Sequence, residues 1–270
     1  MVVQHNLQAA NTNRMLGQNV KAVSKSTEKL SSGYQVNRAA DDAAGLSISE
    51  KMRNQIRGIN QAVKNSEDGV SLIQTAEGNM NEIHSILQRM GELATKAAND
   101  VNASDDRQAI DDEMKQLTEE IDSIAKKAAF NGTYLLRGSF TNKQLQVGAV
   151  AGENMSITIS SMKASKIGVA GLKVSSHKAA SSAMTAITKA IRDVSTARSK
   201  LGAIQNRLNY TINNLENYSE NLTAAESQIR DTDMATEMTN YTKNNILQQA
   251  AQSMLAQSNQ STQGVLSLLQ

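Results

Sequence analysis

Apolar residues recur every three or four positions from Ile48 onward: Ile48, Met52, Ile56, Ile59, Val63, Val70, Ile73, Ala76, Met80, Ile83, Leu87, Met90, Ala94 and Ala97. A period near 3.5 is that of a helix packed lengthwise along a partner, as in coiled coils. Unbroken to Asn99, the pattern predicts a rod of roughly 80 Å at ~1.5 Å per residue. The polar stretch Asn99–Asp106 interrupts it, with Ser104 or Asp105 as candidate helix caps. A second apolar line follows at Ile110, Met114, Leu117, Ile121, Ile124 and Ala128, predicting a helix that packs back on the first. It ends at "FNGTYLLRG", where Asn131-Gly132 is a strong turn signal.

The chain changes character between about 140 and 176. "KQLQVGAV" and "NMSITIS" alternate apolar and polar residues, as half-buried strands do, and "AGEN" supplies a turn between them. This predicts one β-hairpin with a short irregular extension. A third long helical pattern starts after His177 and runs through Met184, Ile187, Ile191, Val194, Ala197, Leu201, Ile204, Leu208, Ile212, Leu215, Tyr218, Leu222, Ala225 and Ile229. Its length matches the rod that begins near Ile48, so the chain is expected to go out, turn and return.

The two ends form a separate class, rich in Gln, Asn, Ala and Ser and poor in charge. Near the C-terminus, Ile246, Leu247, Ala250, Met254 and Leu255 share one helical face, and the chain closes on Val265, Leu266, Leu268 and Leu269. Such a leucine cluster needs a partner. So few aromatics predict arms that are disordered alone and fold on binding. The fold class is mostly α: an elongated antiparallel helical hairpin with terminal helical arms and a small β-hairpin region. The expected organisation is an N-terminal arm and joint at 1–43, a rod at 44–230 and a C-terminal arm at 231–270. Within the rod, helices are expected at about 44–99, 105–130 and 178–230, with the β-hairpin region at about 134–176.

Composition sharpens this. Two Phe, five Tyr and no Trp in 270 residues leave Ala, Leu, Ile, Val and Met to fill narrow seams between helices. Proline is absent, so no helix is forced to kink. Cysteine is absent, which excludes disulfides, thiolate metal sites and Cys nucleophiles. Together these absences remove prolyl isomerisation and disulfide formation as slow folding steps. The formal charge of +2 comes from interleaved signs with no basic stripe, which argues against nucleic acid as a partner. No apolar run is long enough for a membrane span, and "MVVQHNLQAANTNRML" does not read as a signal peptide.

Candidate chemistry is sparse. His5, His84 and His177 are far apart, in neither a zinc-binding H-E-x-x-H nor a Glu-x-x-His pairing. "GLSIS" is not a nucleophile elbow, and no phosphate-binding glycine pattern occurs. The stretch "SSGYQVNRAADDAAG", Ser31–Gly45, poses the one real choice: a ligand loop, a carboxylate cation site at Asp41-Asp42, or a joint between two helices. Adjacent carboxylates without further oxygen ligands argue weakly for a cation. An Asp ahead of "AAGLSIS" suits a helix start, and Gly33 suits a helix end. No catalysis, cofactor or metal is expected.

Several long motifs carry a resemblance. "LSSGYQVNRAADDAAGLSISEKMR", "SEDGVSLIQTAEGNMNEIHSILQRMGELA", "LGAIQNRLNYTINNLENYSENLTAAESQIRDTDMATEM" and "ILQQAAQSMLAQSNQ" followed by "VLSLL" are similar to the bacterial flagellins. The match extends over the chain except the hairpin region. The resemblance implies a secreted structural subunit, not an enzyme, that polymerises into the extracellular flagellar filament for motility. It implies arms that pair into an inner tube and fold on assembly, and a rod that forms an outer tube without large variable domains. Partners implied are further copies of the chain, an export chaperone on the C-terminal arm, and the filament cap and hook-junction proteins.

By the same resemblance, Gly33, Tyr34, Asn37, Arg38, Asp41 and Asp42 form an intersubunit joint, with Tyr34, Asn37 and Arg38 free to meet neighbours. Leu247, Met254, Leu255, Val265, Leu266, Leu268 and Leu269 are the polymerisation arm. Gln88, Arg89 and Leu93, with Glu113 on the next helix, match the patch recognised by the host Toll-like receptor for flagellin. Gly91 departs from the charged or bulky residue of many relatives. Alternatives are a hook–filament junction protein, which shares the arms, and a secreted helical protein that does not polymerise.

Overall fold

A computed structural model describes the backbone of residues 6–268 and the side chains of residues 6–261. In chain order the elements are α1 (Leu7–Ser32), α2 (Ala43–Ala97), α3 (Ser104–Lys127), β1 (Ala129–Phe130), β2 (Thr133–Tyr134), β3 (Lys143–Gln146), β4 (Asn154–Ile157), α4 (Ala164–Ile167), α5 (His177–Arg230) and α6 (Met234–Leu268). They fall into two compact units, one of Met1–Asn54 with Glu220–Gln270 and one of Gln55–Ser219. The division therefore lies inside α2 and α5, not at the expected arm boundaries near 43 and 231.

The unit of Gln55–Ser219 holds nearly all of the apolar core. In α2 the buried line runs Ile73, Ala76, Met80, Ile83, Leu87, Met90, Ala94 and Ala97. In α3 it runs Ile110, Met114, Ile121 and Ala125, with Leu117 and Ile124 half-buried beside it. In α5 it runs Ala180, Ala183, Ile187, Ala190, Val194, Leu201 and Leu208. Met184 and Ile191, expected on that line, are half-buried at its flank, and alanines take the centre. Small residues at the centre let helices approach closely while the larger ones close the sides.

Upstream of Ile73 the buried positions of this unit are Ile59, Ala62, Ser66 and Gly69. Ser66 donates its hydroxyl to the Ala62 carbonyl, which satisfies it inside the helix. Gly69 lets Leu145 of β3 lie close over the helix: a Cβ there would stand 2.5 Å from Leu145 Cδ2, which would have to shift. Ile48, the expected first position of the line, is exposed.

α3 starts from Ala103 rather than Ser104 or Asp105. No side chain caps it from the front; instead Asp106 reaches back to accept the Ala103 N–H at 3.2 Å. Lys126 and Lys127 end the helix, the favourable sign for its dipole. Arg137 closes it from outside, donating from Nε and Nη2 to the Lys126 carbonyl at 3.0 and 2.6 Å while lying over the Tyr134 ring.

Two antiparallel hairpins follow, where one was expected. Asn131 and Gly132 take φ of 46° and 75°, the left-handed pair of a two-residue turn, and join β1 to β2. This hairpin was hidden because each strand is only two residues long. In the second, β3 and β4 pair Lys143 with Ile157 and Gln146 with Asn154. It is shorter than expected, because residues 147–153 form a loop closed by Val147 N–H to the Glu153 carbonyl. Met155, Ile157 and Ile159 alternate into the core. The segment read as an irregular extension contains α4 and is tied to α3 by two carboxylates. Asp122 accepts the Ala164 N–H at 2.8 Å, and buried Asp111 accepts the Val174 N–H at 3.1 Å.

The other unit is built differently. α1 and α6 pack against each other in antiparallel sense, with Asn6 donating to the Ser258 carbonyl at one end and Lys29 4.0 Å from Glu237 at the other. α1 and α6 thus supply one another with a partner. Among the described residues, Val36 is the only hydrophobic side chain of this unit that is fully buried.

Candidate functional site

The Ser31–Gly45 stretch sits in the unit of the paired arms, and local chemistry sets its shape. α1 ends on Gly33 at φ 76°, whose N–H bonds the Lys29 carbonyl at 2.8 Å; glycine enters this left-handed conformation without a Cβ penalty. The two aspartates divide their labour. Asp42 accepts the Gly45 N–H at 2.9 Å and so starts α2. Asp41 turns back, accepting the N–H groups of Asn37 and Arg38 and pairing with Lys25 at 2.8 Å.

Between the caps the chain is clasped to the α5–α6 connection. Tyr34 forms an antiparallel bridge with Asp231. The Gln35 N–H donates to the Arg230 carbonyl at 2.7 Å, and Thr232 N–H to the Gly33 carbonyl at 2.9 Å. The Arg230 guanidinium stands 4.6 Å from the Tyr34 ring centroid and pairs with Glu50 at 2.9 Å. Cation–π attraction and charge pairing reinforce one another here because the arginine side chain is largely screened from water. Ser49 of α2 donates to Glu226 of α5 at 3.0 Å.

Tyr34, Asn37 and Arg38 each have partners within the chain. Tyr34 carries Arg230, Asn37 donates to Ser32 Oγ at 2.8 Å and to the Tyr34 carbonyl, and Arg38 pairs with Glu28 at 2.9 Å. The segment is knit to its own chain before any neighbour arrives. Arg230, Glu50 and Lys25 were missed, since their sequence neighbourhoods announce only helix. Asp233 was missed too, although an Asp just ahead of a helix was a readable signal: it accepts N–H bonds from Ala235 and Thr236 and starts α6.

The carboxylates of the clasp respond to pH in one direction. The Lys25 hydrogen bond, then the Arg38 N–H, holds Asp41 below its ordinary pKa, and Arg230 does the same for Glu50. Their stabilising contribution is complete above the ordinary carboxylate pKa of about 4 and is lost as pH falls through the lowered values.

The faces of the paired arms point two ways. Leu16, Val23 and Leu30 of α1 and Tyr241 and Leu255 of α6 are half-buried. Leu7, Met15 and Val20 of α1 and Met234, Met238, Ile246, Leu247 and Met254 of α6 are exposed. Leu255 therefore does not share the outward surface of Leu247 and Met254, as had been expected from one helical face. The side chains of Val265, Leu266, Leu268 and Leu269 lie outside the described residues.

A second candidate patch lies on the Gln55–Ser219 unit. Arg89 donates from Nε and Nη2 to Glu113 at 3.1 and 2.9 Å and from Nη1 to Glu92 at 3.2 Å. These carboxylates, Glu113 foremost, raise the arginine pKa. Gln88 is exposed beside His84, 3.2 Å away. Leu93, expected on this surface, is only 4% exposed and forms the floor of a shallow groove rimmed by Arg89, Lys96 and Glu113. Among the described residues no group of three or more His, Cys, Asp or Glu could hold a metal ion.

Comparison with known proteins accounts for this combination of paired apolar arms and packed helices. Residues 3–141 match the family described as bacterial flagellin N-terminal helical region, and residues 184–269 the bacterial flagellin C-terminal helical region. The chain is 53% identical to a flagellin of Halalkalibacterium halodurans over 271 residues, covering all of both chains. It is 48% identical to the flagellin of Bacillus subtilis over 303 residues, again covering all of both. The crystal structure of Bacillus cereus flagellin superimposes with a TM-score of 0.50 at 29% identity, over 56% of this chain and 88% of that one.

Proposed function

This chain belongs to the bacterial flagellin family and is a structural subunit of the extracellular flagellar filament, and from that premise we propose that the outward face of its paired arms is the polymerisation surface. The observation that carries the reading is the number of exposed apolar side chains on α1 and α6, in a unit with almost no apolar core of its own. Neighbouring copies that cover Leu7, Val20, Ile246 and Leu247 bury this area, and their contacts finish the ordering of the arms. Repetition of one such contact without closure makes an open helical filament. Leu247, Met254 and the terminal Val265, Leu266, Leu268 and Leu269 act in that contact, and Leu255 acts within the α1–α6 pair.

The clasp around Gly33, Tyr34, Asn37, Arg38, Asp41 and Asp42 is the intersubunit joint. Its exposed pairs, Arg38–Glu28 and Lys25–Asp41, are those a neighbouring subunit exchanges most cheaply. Electron microscopy of concentrated or salt-precipitated protein tests both points. Filaments are expected, and amorphous precipitate alone would overturn the assembly reading. Gly33→Ala is expected to change filament curvature or stability, because alanine strains the left-handed cap by about 1–2 kcal/mol.

The whole-length match to flagellins supports a filament subunit over a hook–filament junction protein or a helical protein that stays monomeric. The export chaperone is assigned to the C-terminal arm, and the filament cap and hook-junction proteins to the same arm surfaces. Among the described residues no helix is long and apolar enough to cross a membrane.

Recognition by the host Toll-like receptor is assigned to Gln88, Arg89 and Glu113, with Leu93 as the groove floor. Arg89, exposed and paired with Glu92 and Glu113, is the natural anchor, since its guanidinium can exchange these carboxylates for a partner's. Arg89→Ala is expected to weaken receptor binding about tenfold in a surface-binding assay. Unchanged affinity would remove Arg89 from the patch.

A further inference from the structure

The exposed methionines of this chain, among the described residues, all lie in the unit of the arms, while Met52 of that unit and Met184 of the other are half-buried. Met15, Met234, Met238 and Met254, all in the unit of the arms, are 48–61% exposed. Met80 and Met90, in the core of the other unit, are 0% exposed, and Met114 is 1% exposed. The four exposed thioethers stand on α1 and α6, the helices that also expose Ile246 and Leu247. A thioether suits a surface that must fit more than one partner, because it is flexible and polarisable. It is also, in a chain without cysteine, the side chain most easily oxidised.

We propose that these four methionines are an oxidation site that controls assembly: peroxide converts them to sulfoxides in the free subunit and blocks its incorporation, whereas neighbours shield them in the filament. The sulfur of each gives its electron pair to one oxygen of hydrogen peroxide. The S–O bond forms as the O–O bond breaks, and the departing hydroxide takes up a proton to leave as water. Sulfur is oxidised by two electrons and the peroxide is reduced. The product carries a strongly polar oxygen where the apolar contact needs a hydrocarbon-like surface. Buried core methionines are out of reach, so the fold of the Gln55–Ser219 unit survives the reaction.

The inference rests on the assembly reading above, and the experiment keeps the two apart. Soluble subunits are treated with hydrogen peroxide, mapped by peptide mass spectrometry, and assayed for sedimentable filaments. Sulfoxide is expected at Met15, Met234, Met238 and Met254 and not at Met80 or Met90. The critical concentration is expected to rise about tenfold for each sulfoxide left unpaired in the contact. Enzymatic reduction of the sulfoxides in treated wild-type subunits is expected to restore assembly. Preformed filaments are expected to resist oxidation at all four positions. The critical concentration of the variant M15L/M234L/M238L/M254L, whatever its starting value, is expected not to change on peroxide treatment. Oxidised wild-type subunits that assemble normally, failure of enzymatic reduction to restore them, or equal oxidation in filament and free subunit would each overturn the proposal. Untreated subunits that never assemble would overturn the assembly reading instead.

Discussion

Leu247→Glu is expected to abolish filament formation and leave the isolated subunit almost unchanged. Leu247 is exposed in the single chain, so the substitution removes no internal packing. Surface changes of that kind shift stability by only about 0.5 kcal/mol. In the contact proposed above the same position meets a neighbour, and a carboxylate without a partner in a desolvated contact costs about 3–5 kcal/mol, more than about a hundredfold in affinity. Sedimentation of salt-induced polymer reads the first half and thermal circular dichroism the second. Filaments at the wild-type concentration would show that this face is not the contact. Leu255→Glu is the informative companion, because Leu255 is half-buried and its replacement disturbs the subunit itself.

Leu87→Ala is expected to do the reverse, lowering the unfolding free energy by about 2–5 kcal/mol without touching any outward surface. Leu87 is 0% exposed and lies in the middle of the α2 core line. The cost combines lost burial with the cavity left among side chains that cannot collapse. Denaturant unfolding measures it. Ile48→Ala is the control: Ile48 is exposed, so its truncation is expected to stay within about 0.5 kcal/mol. A periodicity argument alone assigns both residues to one seam and expects similar losses.

That contrast marks how far the sequence could be read. From Ile73 to Ala97 every expected apolar position of α2 is buried, because the spacing there is unbroken. Toward the start of α2 the line passes through Gly45, Ser49, Ala62, Ser66 and Gly69. Hydrophobicity cannot announce a seam made of small and hydroxylated residues, so Ile48 was taken for its beginning. Gly33 and an aspartate at the start of α2 were legible because caps are local chemistry. The Tyr34–Arg230–Glu50 cluster was not, since its members come from three distant segments and none is unusual in its own. The burial of Leu93 was not legible for a similar reason. Resemblance carries residue type across, but burial of Leu93 depends on how α3 packs over it.

The contrast between the two units also governs how the protein responds to heat. The Gln55–Ser219 unit carries its apolar core within one chain, so its melting should depend little on how much protein is present. The arms bury little apolar area internally. Anything that binds only the ordered form stabilises it by mass action, and here the ligand is the subunit itself. Thermal tolerance of the arms is thus a property of the crowd around them: a dilute subunit softens at its ends first, while the same ends deep in a filament melt only when the lattice does.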